Sequence, residues 1–354
     1  ISKDDGKTWF RLRNNLPPVP IYWLTIQEEF NDMVIGTYGR GFYILDDIGS
    51  IQELDQEVLA KEVHLFNQRP AYRFQEIQGI KTEGRTMTTG SNPPYGMDVN
   101  YFLKNPAKEV QVEIFDLEGK KIRTLNGRKD SGVNRVWWDL RHEPTLQPKL
   151  LVAPQDKPWV KLEGREFRPL VTWDLDLYRG QFGPRVIPGE YEIRITVDGQ
   201  TFSQMGKVIK DPNTAGTLED IQKQVEFSLK LNAVMNEVVV AINEIEIIRK
   251  ELEELTLLNQ DEQIDLKAKE LEAKILEVEG ALFDVNLTGA REDAFRNPMK
   301  LYGRISALAS DTGGFGADFR PTNQQMEVYN VFRKQLDDIQ VQYKRLIEEE
   351  IPKF

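Results

Sequence analysis

The chain contains no cysteine and only two histidines, and both shortages limit the chemistry it can carry. Without cysteine there can be no disulfide framework, no cysteine-based zinc site and no thiol nucleophile. The two histidines, His64 and His142, lie in different segments, and neither has a second ligand nearby at metal-site spacing. We therefore predict no metal site and no cofactor, and we interpret both histidines as structural.

The chain has fewer basic than acidic residues, 46 against 57, and its net charge is −11. An acidic chain is a poor partner for nucleic acid or for an anionic membrane surface. No apolar run reaches the roughly 20 residues that a bilayer-spanning helix needs. We therefore expect neither nucleic acid nor a membrane span.

The composition is that of packed domains, 40% hydrophobic, and its pattern changes along the chain. Residues 1–50 hold short strand-forming runs between turn residues. Residues 51–90 are predicted to be a linker that could add a short strand or two. Period-two alternation marks residues 91–212 as a β-sandwich with an aromatic-rich insertion at 142–184, and three-four spacing marks residues 213–354 as helical.

The most specific motif lies in the first nine residues. From Ser2 they spell S-x-D-x-G-x-T-W, with Asp4, Gly6, Thr8 and Trp9 at the defined positions. This pattern resembles the Asp-box of BNR-type β-propeller repeats, which is a hairpin turn within a blade. The resemblance implies a structural role, in which Asp4 and Gly6 hold the turn and Trp9, at the start of a short strand, packs between blade strands.

A second segment extends this resemblance. Residues 36–47, GTYGRGFYILDD, are similar to the end of the final repeat in bacterial propeller proteins of the WD40/YVTN/BNR-like or sortilin-N-terminal-like type. The resemblance implies that residues 1–50 are the last blade of a β-propeller, that the other blades precede Ile1, and that the protein is exported. Because a blade buries its faces against its neighbours, we expect the upstream propeller to be a partner of this chain.

Strand signals in residues 91–212 predict an Ig/FnIII-like β-sandwich. Val110, Val112 and Ile114 alternate with polar residues, and Asp198-Gly199 is a strong hairpin-turn signal. The pattern D-x-x-G-K-x-I-R-T-L, then G-x-N-x-x-x-W-D, then P-G-x-Y resembles the Ig-like module of the flagellar hook-cap type. That resemblance implies a fold and says almost nothing about function.

Residues 213–354 predict a C-terminal antiparallel helical bundle. Thr217 and Asp220 have the spacing of a capping box, and the apolar pattern that follows predicts a helix of about 40 residues, close to 60 Å long. A short turn near Asn259 leads into a second long amphipathic helix, which favours an antiparallel hairpin. Thr322 begins the last helix.

Candidate binding residues lie in the aromatic insertion. Trp159, Trp173 and Tyr178 could stack on a sugar or on a partner protein. The alternative is that these rings dock against the propeller or the helices of the same protein.

The propeller motif also has a catalytic alternative, because Asp-boxes occur in sialidases. Those enzymes need an arginine cluster, a tyrosine nucleophile with a glutamate, and an acid/base carboxyl group. Arg40 lies near Tyr38 and Tyr43, but one strand cannot assemble such a set. Asp46 and Asp47 could offer oxygen ligands to calcium, although an Asp-rich turn is more often solvated.

We therefore predict no catalytic residue in this chain. The sequence favours a non-catalytic binding or scaffold region of a large exported β-propeller protein that mediates protein or glycan interaction. The alternative is the C-terminal accessory region of a sialidase-like glycoside hydrolase whose catalytic propeller lies upstream.

Overall fold

The structure is a computed structural model, and it describes residues 1–12, 15–74, 90–154, 156–160, 162, 166–170, 180–258, 261–288, 290, 299–314 and 318–354. The chain is a mixture of sheets and helices, and its C-terminal region is helical. It divides into two compact units, of which unit 1 is Ile1–Arg141 with Pro188–Asn213 and unit 2 is His142–Ile187 with Thr214–Phe354. Unit 1 is therefore built from two separate stretches of sequence.

Unit 1 begins with an antiparallel three-stranded sheet of β1 (Ile21–Gln27), β2 (Asp32–Thr37) and β3 (Phe42–Leu45), with β2 in the centre. Met33 and Ile35 of β2 point to one face, where they are buried together with Ile48. Partly buried side chains, among them Leu16 and Tyr43, complete this small core.

Two short helices, α1 (Gly49–Glu53) and α2 (Gln56–Ala60), follow this sheet. After them come two short strands, β4 (Val63–Leu65) and β5 (Ala71–Arg73). Both strands fall within the stretch that the sequence predicted as a linker with short strand candidates. Each strand pairs with one of the two larger sheets of the unit.

The rest of unit 1 consists of two sheets. Their further strands are β6 (Met97–Leu103), β7 (Val110–Phe115), β8 (Lys121–Asn126), β9 (Gly132–Trp138), β12 (Gly189–Val197) and β13 (Gln200–Lys210). One sheet has the strand order β4-β6-β9, and the other has the order β5-β13-β12-β7-β8, in which only the β5–β13 pair is parallel.

The core of these sheets follows the predicted alternation. Val110, Val112 and Ile114 of β7 are buried, and the Trp138 ring of β9 meets the Tyr191 ring of β12 edge-on at 5.3 Å. The β12–β13 hairpin turns at Asp198-Gly199, where φ is positive at both residues, 46° and 89°. That geometry is the one a two-residue hairpin turn requires, so the turn prediction is confirmed.

Unit 2 contains α3 (Leu218–Leu258), α4 (Glu262–Leu282), α5 (Leu301–Ala309) and α6 (Asn323–Arg345), together with a small strand pair, β10 (Lys149–Leu150) and β11 (Arg168–Pro169). A short π-helical segment at Ser310–Gly314 follows α5, and another at Leu346–Glu350 leads into a final 3-10 helical turn at Ile351–Lys353. None of the helices in the described ranges is long and apolar enough to cross a bilayer.

The predicted helix starts are confirmed by their caps. Thr217 Oγ1 accepts the Asp220 N–H at 3.1 Å, and Asp220 in turn accepts from Thr217. Thr322 and Gln325 form a complete capping box at the start of α6. α3 extends over 41 residues, close to the predicted length. The turn near Asn259 lies outside the described residues.

Candidate interaction surface

The Asp-box residues form one hydrogen-bonded turn at the beginning of the chain. The Ser2 hydroxyl accepts the Gly6 N–H at 2.7 Å, and the Asp4 carboxylate accepts the N–H and the hydroxyl of Thr8 at 2.8 and 2.6 Å. The hydrogen bonds from Thr8 lower the pKa of Asp4. Asp5 and Gly6 have positive φ, which lets the backbone reverse at this point.

Trp9 does not pack as the resemblance implied. The side chain is 73% exposed, and its indole N–H donates to the Gly6 carbonyl at 3.0 Å. Residues 9–12 are not in a strand, so the expected short strand after the turn is absent there. The indole lies against its own turn, and no strand in the described ranges covers it.

One face of the β1–β3 sheet is apolar and exposed. Strand register places Trp23, Gly36 and Phe42 in one row across the sheet, and Thr25, Val34 and Ile44 in the next. We call this surface, formed by Trp23, Val34, Gly36, Phe42 and Ile44, the aromatic face. Trp23, Phe42 and Ile44 are 74%, 83% and 61% exposed.

Gly36 shapes the centre of the aromatic face. A Cβ at this position would lie 3.6 Å from the Phe42 ring and 3.8 Å from the Trp23 Cβ, so the glycine lies between these two side chains at ordinary contact distance. At the edge, the exposed rings of Tyr22 and Tyr38 stack with centroids 5.6 Å apart. A contiguous apolar patch of this kind marks a surface that binds another apolar surface.

A buried polar cluster fixes the loop that follows β3. Arg135 donates to the carbonyls of Asp46 and Asp47 at 3.1 and 3.0 Å and to the Asn100 side chain at 2.7 Å. Asn100 donates to the carboxylates of Asp47 and Asp98 at 3.3 and 3.2 Å. The small sheet is thereby held to β6 and β9 by hydrogen bonds that are buried or partly buried.

Arg69 adds a second attachment to the same cluster. Its guanidinium donates to the Phe30 carbonyl at 2.7 Å and to the Asp32 carboxylate at 3.2 Å, and it lies 3.6 Å from Asp98. Burial, together with the charge of Asp47, raises the pKa of Asp98 to about 6, although Arg135 and Arg69 oppose the shift. The cluster therefore gains a titratable group between acidic and neutral pH.

Asp47 is buried, so the expectation of a solvated Asp-rich turn is wrong at this position. Its carboxylate accepts from the Gly49 N–H and from Asn100, and its φ is +44°. Within the described ranges, no group of three or more histidine, aspartate or glutamate side chains is arranged to hold a metal ion. The carboxylates of this cluster serve as partners for arginine and asparagine.

The residues predicted to bind a sugar or a protein are only partly described. Trp159 belongs to unit 2 and is 70% exposed. Trp173 and Tyr178 lie outside the described residues. Arg40 is exposed in the turn between β2 and β3, and His64 is held by Glu53 at 2.7 Å.

The sequence analysis identified strand-forming runs in residues 1–50 but not the aromatic face formed by Trp23, Phe42 and Ile44. A signal was available in the strand patterns. Tyr22-Trp23-Leu24 and Phe42-Tyr43-Ile44 are apolar at consecutive positions, so both faces of each strand are apolar over these stretches.

Unit 2 holds a second buried charge cluster. Glu246 accepts the backbone N–H groups of Leu151 and Val152, and Arg249 pairs with Glu246 at 3.1 Å and with Glu279 at 2.9 Å. Glu246 and Glu279 are fully buried. Burial raises the pKa of Glu279 to about 8, and the charge of Arg249 limits the shift.

No protein-family model, curated protein or solved structure shows a significant match to the chain. The functional interpretation accordingly depends on the aromatic face, the Asp-box turn and the two buried charge clusters.

Proposed function

We propose that this chain is a non-catalytic binding or scaffold region of a larger, exported β-propeller protein. In this proposal the β1–β3 sheet is the last blade, and the two larger sheets of unit 1 are an Ig/FnIII-like sandwich. Unit 2 is an antiparallel helical bundle. The observation that carries the proposal is the aromatic face, which lies on a sheet whose other face packs Met33 and Ile35 into a small core.

The aromatic face fits a neighbouring blade better than it fits water. Burying apolar surface contributes about 25 cal/mol per Å², and a blade in a propeller is covered on both faces by adjacent sheets. Met33 and Ile35 are covered within unit 1, whereas Trp23, Phe42 and Ile44 are bare. In this proposal a neighbouring blade covers the aromatic face with an apolar sheet, and the Asp-box turn is typical of propeller proteins, which contain such blades.

The charged groups near the sheet support a structural role. Asp32 and Asp98 lie beside Arg69, and Asp98 also lies 3.5 Å from Arg135. Carboxylates that are paired with partly buried guanidinium groups hold elements together, whereas a sialidase-like enzyme needs an arginine cluster, a tyrosine nucleophile with a glutamate, and an acid/base carboxyl group around one substrate cleft. This arrangement favours binding over catalysis.

The proposal is tested by combining Trp23→Ser, Phe42→Ser and Ile44→Thr. Since these side chains are exposed in this chain, we expect little change in its unfolding midpoint. In the intact gene product, which includes any segment encoded before Ile1, we expect the same three changes to lower the unfolding midpoint. A matched variant at exposed sites elsewhere, Leu117→Ser with Val331→Ser and Val341→Thr, should leave both proteins unchanged.

Equal sensitivity of the two proteins would contradict the proposed blade, as would a reading frame that begins at Ile1. Catalysis is tested separately with fluorogenic sialosides and aryl glycosides on the intact protein. We expect no turnover, and robust hydrolysis would favour the glycoside hydrolase alternative.

A further inference from the structure

The small β1–β3 sheet of unit 1 has a hydrophobic core of its own. Its buried members, Met33, Ile35 and Ile48, and the partly buried side chains that pack against them all lie between residues 16 and 48. Among the described residues, no side chain of β6 or β9 belongs to this core. The sheet can therefore keep its core while its contacts with the rest of unit 1 change.

Polar contacts connect the small sheet to β6, to β9 and to the segment before β5. Arg135 of β9 donates to the carbonyls of residues 46 and 47, and Arg69 donates to the Phe30 carbonyl. A ring contact between Phe30 and Tyr72, with centroids 5.9 Å apart, adds an apolar component. We call this set of contacts the junction. Because charged groups take part in it, the junction responds to protonation, which a purely apolar interface would not do.

The charges at the junction are out of balance when every group is ionised, because two guanidinium groups face four carboxyl groups. They are Asp32 at the start of β2, Asp46 and Asp47 after β3, Asp98 of β6, Arg135 of β9 and Arg69 before β5. The polar side chains bonded to this cluster, Gln68 and Asn100, are amides and carry no charge. Negative charge therefore remains uncompensated in a largely buried site unless a carboxyl group keeps a proton.

Asp47 and Asp98 lie deepest among the four acids. They are 5% and 1% exposed, whereas Asp32 and Asp46 are only half-buried. The amide nitrogen of Asn100 lies 3.3 Å from the Asp47 carboxylate and 3.2 Å from the Asp98 carboxylate. Two carboxylates that meet at one donor in a buried site repel each other, so one shared proton stabilises the pair.

We propose that the junction is a pH-sensitive switch, which holds the small sheet against β6 and β9 while Asp47 and Asp98 share a proton and opens locally when the proton is released to water. Opening moves the turn at residues 46–49 away from Asp98 and admits water to both carboxylates. The small sheet keeps its own core and its aromatic face in both states. The switch concerns the attachment of the sheet, so it does not depend on the assignment of this sheet as a blade.

The pH range of the switch follows from the surroundings of Asp98 in the closed junction. Burial and the charge of Asp47 raise the pKa of Asp98 from 3.8 to about 6, against the charges of Arg135 and Arg69. Water that enters an open junction returns this pKa towards its ordinary value. The closed state binds the proton more tightly, so closure is fully favoured below about pH 4 and weakens as the pH rises through about 6. The opening equilibrium constant should therefore rise about tenfold from about pH 5 to about pH 7.

The test is hydrogen–deuterium exchange of the full chain, with each rate divided by the intrinsic rate at the same pH. The amides of Asp47 and Gly49 donate to the carboxylates of Asp32 and Asp47, so exchange at residues 46–49 reports on the junction. We expect the protection factor there to fall about tenfold from about pH 5 to about pH 7. A protection factor that stays level over this range would overturn the proposal.

Low concentrations of urea distinguish local opening from unfolding of the whole unit. Local opening exposes little surface, so protection at residues 46–49 should be lower than in β12 and should hardly change with urea. Protection in β12, the central strand of the five-stranded sheet, should fall as urea is added. If both segments show the same protection and the same urea dependence, the turn exchanges through global unfolding and the junction is not a separate switch.

Neutral variants identify the carboxyl groups that are responsible. Asp98→Asn keeps the shape of the side chain and has no proton to release, so protection at residues 46–49 should stay level with pH. Asp130→Asn, at an exposed aspartate before β9, should keep the wild-type fall. Asp47→Asn removes the other charge of the pair and should make the fall smaller, which tests the proposal even if the Asp98 variant does not fold. A fall of wild-type size in a folded Asp98 or Asp47 variant, or loss of the fall in the Asp130 variant, would contradict the switch.

Discussion

Replacing Glu279 by glutamine should remove most of the pH dependence of stability in the helical unit between neutral and mildly alkaline pH. Burial raises the pKa of this carboxyl from 4.5 to about 8, against the opposing charge of Arg249. Between these values the folded state keeps a proton that the unfolded state releases. Stability is therefore fully present below the unfolded pKa and is lost as the pH rises through the folded one.

The magnitude follows from the two pKa values. Each pH unit over which one additional proton is held changes the free energy of unfolding by about 1.4 kcal/mol. Between about pH 6 and pH 8 the unit should lose about 2 kcal/mol, since the loss levels off as Glu279 ionises. A glutamine has nearly the same shape and no proton to lose. Its amide can still donate towards Glu246 and accept from Arg249.

The assay is urea unfolding at several pH values, followed by the helical far-UV circular dichroism of the full chain. We expect the wild-type free energy of unfolding to fall from pH 6 to pH 8 and that of Glu279→Gln to stay nearly level. Glu277→Gln changes an exposed carboxylate of the same helix and should keep the wild-type profile. Wild-type stability that is level or rises over this range, or a glutamine variant with the wild-type slope, would refute the reasoning.

Two further outcomes are expected. Because burial raises the pKa of Asp98 from 3.8 to about 6, the free energy of unfolding of the wild-type first unit should fall by about 2 kcal/mol as the pH rises from about 4 to 6.5, and Asp98→Asn should abolish this fall. Near-UV circular dichroism of the buried Trp138 follows the unfolding, and a fall that persists in the variant would argue against Asp98 as its source. Thr322→Ala should cost about 1 kcal/mol in urea unfolding by removing the cap of α6, whereas Thr322→Ser should cost much less, and equal losses would show that the cap contributes nothing.

Local signals predicted much of the helical unit. The Thr217–Asp220 and Thr322–Gln325 spacings mark helix starts because each cap is formed by residues three apart. The length of α3 follows from an apolar pattern that persists until Leu258. These features involve neighbours in sequence, so a single sequence contains them.

The buried charge clusters could not be predicted in this way. Asp47, Asp98 and Arg135 come from three distant parts of the chain and meet only when the sheets form. Glu246 and Arg249 are three apart on one helix, a spacing that usually marks a solvated surface pair. Their burial depends on Glu279 of the next helix, which no local pattern reveals.

The exposed faces could not be predicted from the sequence either, because the exposure of a strand face depends on which other elements pack against it. Trp9 and Phe42 are large aromatic residues of the kind found in protein cores, yet both side chains are exposed. Short strand-forming runs between turn residues indicated the strands of residues 1–50, but such runs do not show which face of a sheet is covered.

The divided sequence of unit 1 has a consequence for how the protein is synthesised. The chain up to Arg141 contains every strand of the β4-β6-β9 sheet, but it lacks the strands that pair with β5 and with the outer edge of β7. The strands that join them, β12 and β13, emerge only after residues 142–187 have been made. Until residues 142–187 have been made, β5 and the outer edge of β7 are without their partner strands, and an unpaired strand edge can accept a strand from another copy. The five-stranded sheet can therefore be completed only after the insertion has been synthesised, when β12 pairs with β7 and β13 pairs with β5.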